Sequence, residues 1–428
     1  MCCKEGMIVI MEENTQFKKN FIWNTLGTGF NAFNSLFFMI IVTRVNGVEQ
    51  AGIFTIAFST ACILYAVGLY AGRIYQVTEL NKKISDKDFI LSRLITTVLM
   101  IVLLVIFCSF KNYSTEKFII FLLLTIYKDL EAFSDVIYGV LQKNDKLDIV
   151  GKSLFAKSLM SIIVFLLVEI ITKNMIISIA SMIIICVLII LFYDFKKAYK
   201  YIDLKSKINM INVYNILKKG FFTFGISFLG MYVLNAPKYS IDTYLADNYQ
   251  TIFGIIVMPA TVIGLVAQFL IHPYLNQILS LYEDRELKKL KKLILKLISL
   301  TIGFGIIATL LAYFFGTQVL GFIYGLDLSS YKIGLVIIII SAMMYAIGTI
   351  YSSVLTTVRD TLSQFMIYII ISVFVAILSN VFTKTWEING AIIAYFLIMA
   401  LQSITYTIYT NIKLNILFEK LDKKEEKE

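Results

Sequence analysis

Long unbroken apolar runs recur along this chain, separated by short polar turns. Twelve of them are long enough to cross a bilayer as helices, near residues 20–44, 51–72, 89–110, 118–141, 153–172, 175–193, 220–241, 250–277, 293–315, 332–353, 363–383 and 390–412. The runs are continuous rather than alternating, which selects helices over barrel strands. Ala236-Pro237-Lys238 interrupts the seventh run, and Pro259 and Pro273 predict kinks in the eighth. TRVNGVEQAGIF (43–54) and TYLADNYQTIFG (243–254) echo one another, each joining a first run to a second. The expected architecture is all-α and integral to a membrane, with about twelve transmembrane helices in two six-helix lobes. The lobes are expected to be related by a pseudo-twofold axis along the membrane normal, a plan known among transporters.

One run departs from the pattern. Phe118 to Leu141 is long and apolar, yet it carries Lys128, Asp129, Glu131 and Asp135 at its centre. On a helix, positions 128, 131 and 135 fall within roughly 60° of one another. A charge at mid-bilayer costs about 2.5–3.5 kcal/mol on insertion scales, so a purely structural helix has little reason to carry four. The pattern implies a face that lines a wet cavity inside a bundle.

Composition agrees with the pattern. Of 428 residues, 58% are hydrophobic and only 16% charged, with mean hydropathy +0.80. A soluble chain of this length would be about a quarter charged. The net charge of +10 is a matter of membrane orientation rather than nucleic-acid binding. With both termini on one side, about 29 of the 39 basic residues fall on that side and about seven on the other. The positive-inside rule makes that side cytoplasmic. The expected division is a cytoplasmic tail (1–19), an N-terminal six-helix lobe (20–193), a basic cytoplasmic linker (194–219), a C-terminal lobe (220–412) and a charged cytoplasmic tail (413–428). Within the linker, Ile208 to Lys219 reads either as an amphipathic surface helix or as a plain basic connection.

The candidate binding groups are the cations Arg44, Arg73, Arg93, Lys128, Lys157 and Lys238, which would bind a phosphate or diphosphate in a cavity of low dielectric. The acids Asp129, Glu131, Asp135 and Asp242 would balance the empty cavity or bind a coupling proton or Na⁺. Competing readings are headgroup snorkelling for Arg44, Arg73 and Arg93, and for Lys128 a closed ion pair with Glu131 or Asp135. His272 reads as packed or hydrogen-bonded rather than as a proton relay, and Arg359 and Asp360 as solvated. Cys62, Cys108 and Cys186 read as small hydrophobes. Cys2 and Cys3 read as a loose tail, an upstream start or an acylation site. No metal-ligand spacing, Walker A sequence or nucleophile–base pair occurs, so transport without a cofactor is expected in place of catalysis.

Several segments carry a family resemblance. NTLGTGFNAFNSLFFMIIVTRVNGVEQAGIFTIAFS (24–59) and GLYAGRIYQVTE (68–79), with Arg44, Gly47, Gly52, Ile53, Phe54, Gly72, Arg73, Tyr75 and Gln76, resemble the opening of bacterial polysaccharide flippases of the Wzx (O-antigen and capsule) type. These belong to the multidrug/oligosaccharidyl-lipid/polysaccharide exporter superfamily. KDLEAFSDVIYGVLQKNDKLDIVGKSLFAK (128–157) is similar to that family's fourth and fifth spans, and NAPKYSIDTYLADNYQTIFGIIVMP (235–259), with Pro237, Tyr239 and Asp242, to its seventh-to-eighth junction. Lys157 departs from the expected Arg. The resemblance implies a multi-pass carrier of the bacterial cytoplasmic membrane, its two six-helix lobes forming a V around a central cavity. It would turn undecaprenyl-diphosphate-linked oligosaccharide from the inner to the outer leaflet by alternating access, alongside glycan polymerase and glycosyltransferases. Other readings are a flippase for lipid-linked peptidoglycan precursor or teichoic acid, a cation-coupled multidrug exporter, and a membrane polymerase or ligase. The cationic set argues against the exporter of cationic drugs, and the short outside loops against the last.

Overall fold

A computed structural model describes the backbone of residues 2–70, 72–79, 83–203 and 205–425, with side chains described between residues 15 and 419. Cys2 and Cys3 lie outside the described side chains. The described residues form helices and turns, with no strand among them. The chain separates into two compact units, Met1–Phe228 and Leu229–Glu428.

In the first unit, α1 (Cys2–Ala32) and α2 (Asn34–Asn46) make one span interrupted at Phe33. They are followed by α3 (Val48–Leu69), a short α4 (Gly72–Thr78), α5 (Asp86–Lys111), α6 (Thr115–Lys143), α7 (Leu147–Thr172) and α8 (Met175–Ile189). The last continues through a π-helical segment, Ile190–Phe195. Turn chemistry sets the breaks. Ser85 and Asp88 form a capping box at the start of α5, and the Asn174 side chain accepts from the Ile176 and Ile177 amides at the start of α8. Gly47, at φ 88°, makes the corner between α2 and α3 in a conformation that a side chain would strain.

α9 (Met210–Tyr244) leads into the second unit, which holds α10 (Asp247–Ile271), α11 (Leu275–Glu283), α12 (Leu287–Leu311), α13 (Thr317–Tyr324), α14 (Lys332–Thr357) and α15 (Thr361–Glu425). Non-helical angles at Trp386 and Glu387 divide α15 into two helices. Among the described residues, ten helical stretches are long and apolar enough to cross a membrane. The break in α15 adds one, and α6, whose charges set it apart from those ten, adds another. The twelve spans expected from the sequence are therefore all present as helices. The outward faces are strongly apolar, as at Phe110 (82% exposed) and Phe322 (83%), which suits contact with lipid rather than water.

Several local expectations are corrected. Pro237 does not interrupt its span: α9 runs through it, because a helix of 35 residues loses one internal bond there and keeps the rest. Ile208–Lys219 is neither a separate surface helix nor a plain linker, since α9 begins at Met210. The residues just before and within that start are held by the first unit. The Asp88 carboxylate accepts from the Asn209 amide (2.8 Å) and Asn212 Nδ2 (2.9 Å), and Lys87 Nζ donates to the Ser206 carbonyl (3.0 Å). His272 is exposed in a 3-10 turn after α10 rather than packed, because the helix ends before Pro273. Asp360 is not simply solvated: it accepts from Lys413 Nζ (2.8 Å) and the Tyr409 hydroxyl (2.9 Å).

Candidate functional site

The charged helix α6 carries three polar layers through the first unit, below an aromatic core in which Phe38 packs against Phe54, Tyr127 and Phe165. In the first layer, Lys128 Nζ donates to Glu131 Oε2 at 2.7 Å, one turn along the same helix. The ammonium also lies 5.0 Å from the Phe58 ring centroid, 5.6 Å from Tyr127 and 5.7 Å from Tyr65. A desolvated ammonium gains about 2 kcal/mol from such ring faces, and a buried one needs its counter-charge. The sequence left open whether Lys128 faces a cavity or closes an ion pair; in this structure it is paired and 8% exposed.

Two turns further along α6, Asp135 is shared by two guanidinium groups. Its Oδ1 lies 3.2 Å from Arg73 Nη1 and its Oδ2 lies 3.0 Å from Arg93 Nη2. Arg93, 3% exposed, also donates to the Gly68 carbonyl near the C-terminus of α3 (2.6 Å), where the helix dipole favours a cation. Arg73 Nε donates to Gln142 Oε1 (2.9 Å), and its side chain keeps 25% exposure. Both arginines turn inward onto Asp135. A cleft lined by Tyr70, Gly72, Phe89, Ser92 and Arg93 opens beside this layer. Gln76 anchors α4 beneath it, its Nε2 donating to the Val136 carbonyl (3.2 Å), and a side chain at Gly139 would collide with its amide.

The third layer lies further round α6, beside Ser134 and Tyr138. Lys157 Nζ donates to Ser134 Oγ (2.7 Å), the Tyr138 hydroxyl (2.9 Å) and Asp194 Oδ2 (2.5 Å). Asp194 Oδ1 accepts from Ser153 Oγ (2.5 Å). All three ammonium hydrogens are therefore used, and Lys157 is a closed group rather than one that presents donors to a cavity. The Tyr138 ring joins the second and third layers, lying 5.9 Å from the Arg73 guanidinium carbon and 5.0 Å from Lys157 Nζ.

Of the candidate residues, Arg73, Arg93, Lys128, Glu131, Asp135 and Lys157 are thus gathered around α6. Asp129 is beside them in sequence but its Oδ1 is buried with no hydrogen-bond partner among the described residues. Arg44 is exposed in the last turn of α2, at the other end of the 22-residue α3 from Arg73, about 33 Å away along the helix axis. Lys238 and Asp242 stand one turn apart on α9, half-buried in the second unit. Sequence reasoning missed Asp194, which directly precedes Phe195-Lys196-Lys197 and read as part of a basic linker. The π-helical turn carries it into the protein, where it is fully buried. It also missed Glu169, buried near the end of α7, whose Oε1 accepts from Asn46 Nδ2 (2.7 Å). No group of three or more metal-ligating side chains occurs among the described residues.

No protein-family profile matches the chain. Among curated proteins it is similar to the capsular polysaccharide biosynthesis protein CapF of Staphylococcus aureus, 22% identical over 377 residues that cover 87% of this chain and 94% of that protein. Among solved structures it is similar to an inward-facing multidrug resistance MATE family transporter of the MOP superfamily (TM-score 0.71, 13% identity, covering 93% of this chain and 96% of the other). It is also similar to a MOP superfamily transporter from Pyrococcus furiosus described as having a binding pocket of reverse polarity (TM-score 0.56, 12% identity, covering 94% and 96%). The fold is that of the MATE transporters, a multi-pass helical membrane architecture, as the sequence resemblance implied.

Proposed function

We propose that the chain exports polysaccharide by flipping polyprenyl-diphosphate-linked oligosaccharide across the cytoplasmic membrane by alternating access. The observation that carries this reading is the second layer: two guanidinium groups converge on one carboxylate. Arg73 and Arg93 bring two positive charges against the single negative charge of Asp135. A diphosphate carries more charge and more acceptor oxygens than a carboxylate, and planar guanidinium groups match its geometry. Asp135 then acts as the resident anion that offsets half of that charge in the empty site, and a lipid diphosphate displaces it. The Lys128–Glu131 pair repeats the same logic one layer away. The similarity to a capsular polysaccharide biosynthesis protein and the transporter fold both support this assignment.

The same chemistry fits a lipid-linked peptidoglycan or teichoic-acid precursor, whose anchor also carries phosphate. The cations remain paired inside the first unit, which favours an anionic cargo over the cationic drugs of an exporter. The carrier itself moves cargo without making or breaking bonds in it, and a proton or Na⁺ supplies the coupling.

The test is complementation of surface glycan in a strain lacking the chain. Lys128→Ala and Arg73→Gln are expected to abolish surface glycan while the protein still reaches the membrane in normal amount. Normal glycan in both variants would overturn the anion-site reading. Asp135→Asn, which removes the competitor but keeps the shape, is expected to retain binding of a diphosphate lipid and slow its release.

A further inference from the structure

The helix that carries Arg73 to Asp135 is short: α4 has seven residues. A helix of that length is marginal on its own, so its place is set by what packs on it. It rests on α6, where Gln76 Nε2 donates to the Val136 carbonyl (3.2 Å) and Arg73 reaches Asp135 and Gln142. Its first residue abuts Arg93, since a Cβ at Gly72 would lie 3.2 Å from Arg93 Nη2. It also meets the part of α9 that belongs to the first unit, residues 210–228.

The corner between α3 and α4 is where α9 makes its closest approach to this region. Tyr70 stands there at φ 44° and ψ 32°, a left-handed conformation that an aromatic residue rarely adopts. Such a conformation persists where the surroundings over-determine it. Here the Tyr70 ring stacks on Phe224, with 4.6 Å between centroids and 12° between planes. One turn earlier on α9, a Cβ at Gly220 would lie 2.9 Å from the Tyr70 carbonyl oxygen and 3.1 Å from its ring. One turn earlier again, the buried Ile216 lines the cleft with Tyr70, Gly72 and Arg93. Residues 216, 220 and 224 are spaced four apart and share one face of α9. Beside them, Lys219 Nζ donates to the hydroxyl of Tyr75 on α4 itself (2.9 Å).

We propose that Tyr70, Lys219, Gly220 and Phe224 are positioning residues for Arg73: they fix the corner from which α4 starts, and so set how far the Arg73 guanidinium reaches toward Asp135. Arg73 is three residues beyond Tyr70, so a turn of that corner carries it along. Arg93 stands on the 26-residue α5 and does not depend on the corner. Of the two guanidinium groups on Asp135, one is therefore fixed by a long helix and the other is adjustable through α9. The same α9 runs on through Pro237 into the second unit, which ties the setting of Arg73 to the helix that joins the units. The bearing of this on transport rests on the anion-site reading above.

The test is modification of arginines by phenylglyoxal in the intact protein in lipid nanodiscs, read residue by residue by mass spectrometry. The Arg73 side chain is 25% exposed and that of Arg93 is 3%, so the two give separate readouts. Phe224→Ala is expected to make Arg73 react about tenfold faster while Arg93 stays protected, because the corner loosens and the bundle does not. Phe224→Tyr, which keeps a ring face for Tyr70, is expected to restore the original rate. Lys219→Met, at an exposed position, is expected to raise the Arg73 rate about threefold, and it carries the test alone if Phe224→Ala does not fold. In either folded variant, an unchanged Arg73 rate, or a rise of Arg93 alongside it, would overturn the proposal. The rates need no transport activity. Normal surface glycan in a variant whose Arg73 has become reactive leaves the proposal standing and weighs against the flippase reading instead.

Discussion

At the residue scale, the most consequential side chain is one that sequence reading passed over. Asp194 neutralises Lys157 in a pocket with 0% exposure. Removing one partner of a buried ion pair leaves an uncompensated charge and costs about 3–5 kcal/mol. Asp194→Ala should therefore lower thermal stability sharply, as read by a melting curve of the solubilised protein. The double change Lys157→Met with Asp194→Leu should recover most of the loss, because no charge is then stranded. Lys128, Glu131 and Asp135 were legible in sequence because charge within an apolar run is conspicuous. Asp194 was not, because it stands where an apolar run gives way to lysines and only a π-helical turn swings it inward. Asp360 supports a second expectation. Burial pushes its carboxyl up, but bonds from Lys413, Ser363 and Tyr409 outweigh this and hold it below the ordinary carboxylate range. Its contribution to stability is present above about pH 4 and is lost as pH falls through the lowered value. Asp360→Asn should flatten the acid limb of a stability–pH profile.

At the scale of elements, close helix crossings decide the packing. α1 and α7 meet where Gly27 faces Gly151: a side chain on the first would strike the Gly151 carbonyl, and on the second the backbone of Trp23. Small residues permit such approach where helices associate in lipid without a hydrophobic drive. Gly151→Leu should push the helices apart and lower the yield of folded protein in a size-exclusion profile, whereas Gly29→Ala, with open space around it, should leave that profile unchanged. The start of α9 gives another prediction. Asp88 accepts from both Asn209 and Asn212, so Asp88→Ala should speed amide hydrogen exchange over 205–212, by at least tenfold at Asn209. The sequence marked this stretch as a linker because it is basic and polar. The docking depends on a carboxylate more than a hundred residues upstream, which no local pattern signals.

At the scale of the whole molecule, the twelve-span map predicts that both termini lie on one side, and the excess of basic residues predicts that this side is the cytoplasm. A fluorescent protein fused after Glu428 should mature and fluoresce, while alkaline phosphatase fused there should be inactive; the reverse result would invert the orientation.

The run lengths, the placement of turns, the charge bias and the one charged span were determined by the sequence alone. They depend on hydrophobicity and helical periodicity, which are local. Only the tertiary structure decided which acid answers which cation, that Lys157 is closed while Arg73 keeps access, and that α9 reaches back to the short helix that carries Arg73. Those outcomes depend on distance between residues far apart in the chain, and pairing energy in a medium of low dielectric changes steeply with that distance.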